Sequence, residues 1–172
     1  DILLNNSEHE NTMILFDNKG KRLYEYKKQH LIPSVEANYV TGDNEIKSFD
    51  TEIGKITSVI CYDLNYPFFM NKIAFDHHPD LVIAPSWDYK GVIDFQARNS
   101  RIRSIENGFN LIKNTVGGIT IEYDSRGRDL GFFRAGEKDD YFIVSDPISN
   151  NPNSAGVNPT IVKYIIFIIL FY

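Results

Sequence analysis

The chain holds a single cysteine, Cys61, within Val59-Ile60-Cys61-Tyr62-Asp63-Leu64-Asn65-Tyr66-Pro67. There a β-prone run stops and a helix is about to begin. A thiol on such a turn is presented away from the sheet, and the unpaired amides of a helix start favour a thiolate and a developing oxyanion. One cysteine cannot close an internal disulfide, so Cys61 is either a buried apolar filler or a reactive thiol. Upstream, in Tyr26-Lys27-Lys28-Gln29-His30-Leu31-Ile32-Pro33-Ser34-Val35-Glu36, a lysine leaves the end of a strand and a carboxylate follows it. A lysine beside a turn is ordinarily just solvated, and alone it is a weak signal. Asp63 is either an acid/base group or an N-cap, since aspartate is favoured there. The run His77-His78-Pro79-Asp80 reads as a solvated loop, because no cysteine or further histidine pair completes a metal site. Arg103 and Glu106, three apart, read as a structural ion pair.

The elements that must position these groups alternate between strand and helix. Thr12 to Phe16 and Arg22 to Lys27 flank the turn former Asp17-Asn18-Lys19-Gly20 and predict a hairpin. Ile46 to Phe49 and Ile56 to Cys61 are the next expected strands, with Gly54 as the turn between them. Pro67 opens a helix through Asp76, because proline lacks the amide that a first helical turn leaves unpaired. Asp80 to Pro85 is a short apolar run of the kind buried on both faces. Ile93 to Asn107 has helical spacing and Gly108 closes it. Phe109 to Asn114, Gly118 to Tyr123, Leu130 to Phe133 and Tyr141 to Val144 complete the strands. The pattern predicts an α/β domain with mixed sheets.

The 172 residues are 42% apolar and 24% charged, an ordinary globular composition that excludes disorder. A net charge of -5 argues against nucleic acid as a partner, since phosphate binding needs a basic surface. Residues 1–146 read as one continuous domain portion and 147–160 as a polar linker. Residues 161–172 (Ile-Val-Lys-Tyr-Ile-Ile-Phe-Ile-Ile-Leu-Phe-Tyr) read either as a buried strand or helix or, favoured by that linker, as the start of a transmembrane helix. A start at Asp1 without Met predicts that the chain is a C-terminal fragment.

Two blocks, Lys28-Gln29-His30-Leu31-Ile32-Pro33 and Cys61-Tyr62-Asp63, resemble the Lys-x-His-Leu-x-Pro and Cys-Tyr-Asp/Glu blocks of the carbon–nitrogen hydrolase (nitrilase) superfamily. Asp80 to Trp87 is similar to the family strand that carries substrate-pocket residues. Arg101-Ile102-Arg103-Ser104-Ile105-Glu106-Asn107-Gly108 is similar to its Arg-x-Arg-Ala-x-Glu-x-Gly helix. Asn114 to Ile119 and Asp124-Ser125-Arg126-Gly127 resemble its following strand and hairpin, so the likeness runs from Glu10 to Phe133. Within the superfamily the resemblance is closest to apolipoprotein N-acyltransferases, through Glu36, the Pro85-Ser86-Trp87-Asp88 block and the apolar segment after the domain. The sequence departs from that branch at Val35, where a glycine is usual, and at Asp63, where a glutamate is usual.

The resemblance implies a four-layer α-β-β-α sandwich whose N-terminal part is missing. It implies Cys61 as nucleophile and Lys28 as its electrophilic partner. Glu36 and Asp63 are then acid/base or positioning groups, the Tyr62 amide an oxyanion donor, and Ser86 and Trp87 pocket residues. A glutamate base would take the thiol proton, Cys61 would form an acyl-thioester, and water or an amine would accept the acyl group. No cofactor and no metal are implied. The family's base lies well upstream of its lysine, which predicts an inactive fragment. The leading expectation is a lipoprotein N-acyltransferase-like enzyme in the bacterial inner membrane, its catalytic domain on the outer side and a phospholipid or amide as acyl donor. The alternatives are a cytoplasmic amidase or nitrilase-type hydrolase and a non-catalytic remnant acting as a binding module.

Overall fold

Leu81-Val82-Ile83-Ala84-Pro85 is an unbroken apolar run, and a strand of that kind needs cover on both faces. In the computed structural model, which describes residues 9–43 and 45–134, it becomes the middle of a six-stranded sheet. The elements in chain order are β1 (His9–Glu10), β2 (Thr12–Phe16), β3 (Arg22–Lys27), β4 (Tyr39–Val40), β5 (Phe49–Thr51) and β6 (Gly54–Ser58). A 3-10 turn (Cys61–Asn65), α1 (Pro67–His77), β7 (Leu81–Trp87), α2 (Ile93–Asn107), β8 (Asn110–Val116), β9 (Ile119–Tyr123) and β10 (Asp129–Arg134) follow.

The sheet runs β10-β9-β8-β7-β6-β5. Its centre is parallel, β6 on β7 and β7 on β8, because α1 and α2 are the crossovers that parallel neighbours require. Its edges are antiparallel hairpins. The α/β class with a mixed sheet is therefore as the residue pattern predicts. β2 and β3 pair as the expected hairpin, its turn closed by Asp17 Oδ1, which accepts the amides of Lys19 and Lys21 at 2.9 and 2.8 Å.

Side chains alternate across a strand, and this sheet has two apolar faces. On one, Val82, Ala84 and Leu111 join Met13, Leu15, Tyr24 and Tyr26 of the hairpin and Met70 and Ile73 of α1 in the main core, which also encloses Cys61. On the other, Leu81 and Ile83 meet Ile53 and Ile56.

Two strand expectations shift. Ile46 to Phe49 contributes only Phe49 to a strand, because the turn at Glu52-Ile53 sets the register Phe49↔Ile56 to Thr51↔Gly54 and leaves Ile46 to pack on the core without a ladder. Ile56 to Cys61 stops as a strand at Ser58, since the chain must leave the ladder to make the turn at Cys61. The helices match expectation, α1 starting at Pro67 and α2 ending against Gly108 at φ 71°.

The membrane placement is corrected. Among the described residues no helix is long and apolar enough to cross a membrane. The longer helix, α2, has 15 residues and carries Arg98, Arg101, Arg103 and Glu106, whereas a span needs roughly 20 apolar ones. The inner-membrane localisation and the membrane as partner thus lose their support. The strand expected at Tyr141 to Val144, the linker at 147–160 and the apolar run at 161–172 lie outside the described residues.

Leu111 is fully buried in the main core. Leu111→Ala should lower the unfolding free energy by about 2–5 kcal/mol in a denaturant titration. Phe68→Ala, at a position 89% exposed, should change it by no more than about 0.5 kcal/mol.

Candidate active site

Cys61 adopts φ 48°, in the left-handed region that a residue with a Cβ enters at a cost of roughly 1–2 kcal/mol. Such a conformation persists only where the surroundings impose it. Asp63 imposes it here. Its carboxylate is fully buried and accepts from the Ile60 amide at 3.0 Å, folding the turn back onto the end of β6. It also takes the Tyr26 hydroxyl at 2.7 Å and the His30 amide at 2.8 Å, with His30 Nδ1 at 3.0 Å. Asp63 is not the N-cap of α1. Tyr66 holds that place with no side-chain cap bond. The aspartate is instead a bridge between the cysteine turn and the chain just after β3.

Lys28 lies between Tyr26 and His30, so the segment that carries it is tied on both sides to the residue two beyond Cys61. Its own backbone is held at both ends, its amide on Asn11 O and its carbonyl under the Gly42 amide, each at 2.9 Å. The side chain is 1% exposed and its Nζ contacts both oxygens of Glu36 at 2.7 Å. Glu36 also accepts from Asn11 Nδ2 at 3.0 Å and the Ile32 amide at 2.6 Å. Every lone pair of that carboxylate is therefore engaged, and Glu36 acts on Lys28 as a rigid clamp.

The end of β7 closes another side. Cys61 Sγ lies 3.7 Å from the Trp87 carbonyl oxygen. The Trp87 ring is more than half exposed and stacks on Tyr89, centroids 6.1 Å apart, so it stands at the rim. Ser86 is buried and donates to the Ala84 carbonyl at 3.1 Å, so its hydroxyl is spent on the backbone of its own strand. Tyr62 packs against the core with its ring edge-on to Tyr66. Arg103 and Glu106 form the expected i,i+3 ion pair at 3.0 Å.

Residue spacing gave no warning of a second buried lysine. Lys113 in β8 is fully buried and its Nζ contacts Asp88 Oδ2. Burial pushes its pKa down, while Asp88 and the nearby Cys61 sulfur pull it up. The available signal was a lysine inside the apolar strand Phe109 to Asn114, which cannot be solvated if its neighbours are core. Asn11 and Tyr26, which fasten Glu36 and Asp63, were likewise unmarked.

These features define a class: an α/β protein whose parallel strand delivers a cysteine into a strained turn, with a buried lysine–glutamate clamp fastened to that turn. The sequence model described as carbon–nitrogen hydrolase matches residues 5–141, and the chain belongs to that family. It is 30% identical over 83 residues to the 2-oxoglutaramate amidase of Bacillus subtilis (strain 168), covering 48% of this chain and 32% of that protein. It is 26% identical over 137 residues to the apolipoprotein N-acyltransferase of Rickettsia bellii (strain RML369-C), covering 67% of this chain and 27% of that protein. Its fold is that of Saccharomyces cerevisiae Nit3, a member of branch 10 of the nitrilase superfamily, with TM-score 0.67 and 24% identity over 75% of this chain and 51% of that one. The chain spans about half or less of the length of each of these proteins.

Asp63→Asn should destabilise the protein by about 3–5 kcal/mol, because an amide nitrogen must face either Tyr26 and Ile60 or His30, all of which donate. Thermal and denaturant unfolding measure it. A second consequence follows from Tyr24, whose pKa is pushed up to about 12 from 10.0, chiefly by burial. Tyr26 is raised too, by burial and by the Asp63 charge it donates to. Both phenols keep their protons in the folded state and lose them more readily when unfolded. Stability should therefore fall as pH rises from about 10 to about 12. The part of the tyrosinate absorbance that is lost in Tyr24→Phe and Tyr26→Phe variants should rise together with the loss of circular dichroism rather than before it.

Proposed function

We propose that the protein cleaves carbon–nitrogen bonds of amide substrates through an acyl-thioester on Cys61. The thiol proton passes to a base other than Glu36 and Asp63, whose oxygens are already engaged. The sulfur attacks the amide carbonyl carbon, and the Lys28 ammonium and the Tyr62 amide hold the oxyanion that forms. As that intermediate collapses, the C–N bond breaks and the amine leaves with a proton. Water then cleaves the thioester, giving a carboxylic acid and the free thiol. Glu36 holds Lys28 fixed, Asp63 holds the turn, and Trp87 forms a wall at the rim. Ser86 is left as a structural residue of that wall. No cofactor or metal enters these steps. The observation that carries this reading is the Cys61 turn, strained into the left-handed region and fastened through Asp63 to the segment bearing Lys28.

A second reading, acyl transfer to an amine, uses the same thioester with a different acceptor. It is favoured by the likeness to the Rickettsia bellii acyltransferase, which extends over a larger share of this chain than the likeness to the amidase. The two differ only in what resolves the intermediate, so partitioning separates them. With an amide substrate in water alone, the hydrolase reading expects steady release of acid, and the transferase reading expects the acyl-enzyme to persist until an amine is added.

Cys61→Ala should abolish the acyl adduct seen by intact-protein mass spectrometry. Lys28→Ala should retain the fold by circular dichroism yet lower turnover by about 10²-fold or more, as loss of an oxyanion donor does. An unchanged rate in either variant overturns the assignment.

A further inference from the structure

The steps above leave one charged pair unused. Lys113 stands opposite Ala84 in the register of β8 on β7 and two residues beyond Leu111. It therefore shares the sheet face of Val82, Ala84 and Leu111, the face whose core includes Cys61. Its side chain is fully buried, and its carboxylate partner, Asp88, is 3% exposed. Asp88 directly follows Trp87, whose carbonyl touches the Cys61 sulfur, so Cys61, Trp87, Asp88 and Lys113 form one contiguous chain of contacts.

The pocket for this pair is shaped around it. The Asp88 amide donates to the Val116 carbonyl at 3.1 Å, and a Cβ at Gly118 would come within 2.5 Å of Asp88 Oδ2. Among the described residues Asp88 Oδ1 has no hydrogen-bond partner. A half-satisfied buried ion pair is a poor source of stability, since apolar residues of similar volume serve as well or better. Its cost points to a use. Glu36 grips the Lys28 ammonium with both oxygens, whereas Lys113 contacts Asp88 through Oδ2.

We propose that Lys113 is a positioning residue for Cys61: its buried ammonium, held by Asp88, is the counter-charge on the core side of the sulfur that steadies the thiolate before it attacks. Lys28 is thereby left to the oxyanion. Burial pushes the Lys113 pKa down, and the Cys61 sulfur is a smaller influence that, with Asp88, pulls it back up. This inference rests on Cys61 being the reactive group, but its test needs no substrate.

The measurement is the second-order rate of Cys61 alkylation by iodoacetamide, a neutral reagent that reports the thiolate, at neutral pH. Lys113→Met keeps the length and apolar stem without the charge and should react about tenfold or more slowly. Lys113→Arg keeps the charge at the expense of fit and should stay within about threefold of the unsubstituted protein. A packing role predicts the reverse order, Met tolerated and Arg impaired, and that result overturns the proposal. If Lys113→Met fails to fold by circular dichroism, Lys113→Gln supplies a neutral donor to Asp88. It should show the same slowing, and an unchanged rate there overturns the proposal. Absence of an acyl adduct on Cys61 with amide substrates would instead sink the proposed function while leaving the alkylation result in force.

Discussion

The fully buried carboxylate of Asp63 is the interaction on which the site depends. A carboxylate removed from water is stable only when donors replace its hydration, and the donors that do so come from separate parts of the chain: Ile60 at the end of β6, Tyr26 in β3, and His30 just beyond it. Satisfying one charge thus joins a hairpin to the central sheet. The same bonds hold Cys61 in a backbone conformation it would not choose alone. The local strain is offset by a network that is expensive to break, which is how a thiol can be presented at a fixed angle without a rigid element of its own.

Around this bridge stand two buried lysine–carboxylate pairs, Lys28 with Glu36 and Lys113 with Asp88. They differ in finish. Glu36 is saturated by lysine, asparagine and backbone donors, so its lysine is held in a single geometry. Asp88 has one oxygen engaged and one without a partner among the described residues. In a low-dielectric interior the saturated pair is a fixed dipole, whereas the unsaturated one leaves its lysine more responsive to a new negative charge nearby. A nucleophile that gains charge and then passes it to an oxyanion benefits from both kinds of partner.

Chemistry of this kind asks for the same scaffold whether water or an amine finishes the reaction. On the proposed reading, acyl-thioester formation is set by the sulfur, its counter-charges and the oxyanion donors, which sit on the 3-10 turn after β6, on β8 and on the segment after β3. The second step is set by what reaches the thioester from the rim, where Trp87 and Tyr89 stand exposed and stacked. Membership of the carbon–nitrogen hydrolase family is consistent with either outcome.

Much of this was legible in the residues themselves. Pro67, Gly108 and the turn former at Asp17 to Gly20 mark boundaries through local backbone preferences, and α1, α2 and the β2–β3 hairpin begin or end where those preferences say. Lys28 and Cys61 were marked as candidates through the motif types around them. Strand limits at Phe49 and Ser58 were not, because hydrogen-bond register is decided between strands, and a residue such as Ile46 can pack on the core without joining a ladder. The role of Asp63 was likewise undecided, since an aspartate before a helix caps it in one context and is swallowed by the core in another. Lys113 and Asp88 lie 25 residues apart, and nothing in either neighbourhood announces the other. Local sequence determined which elements form and which residue types could do chemistry; only the packing of β7 against β8 and of the hairpin against the sheet decided which charges lose their water together, because desolvation depends on neighbours in space.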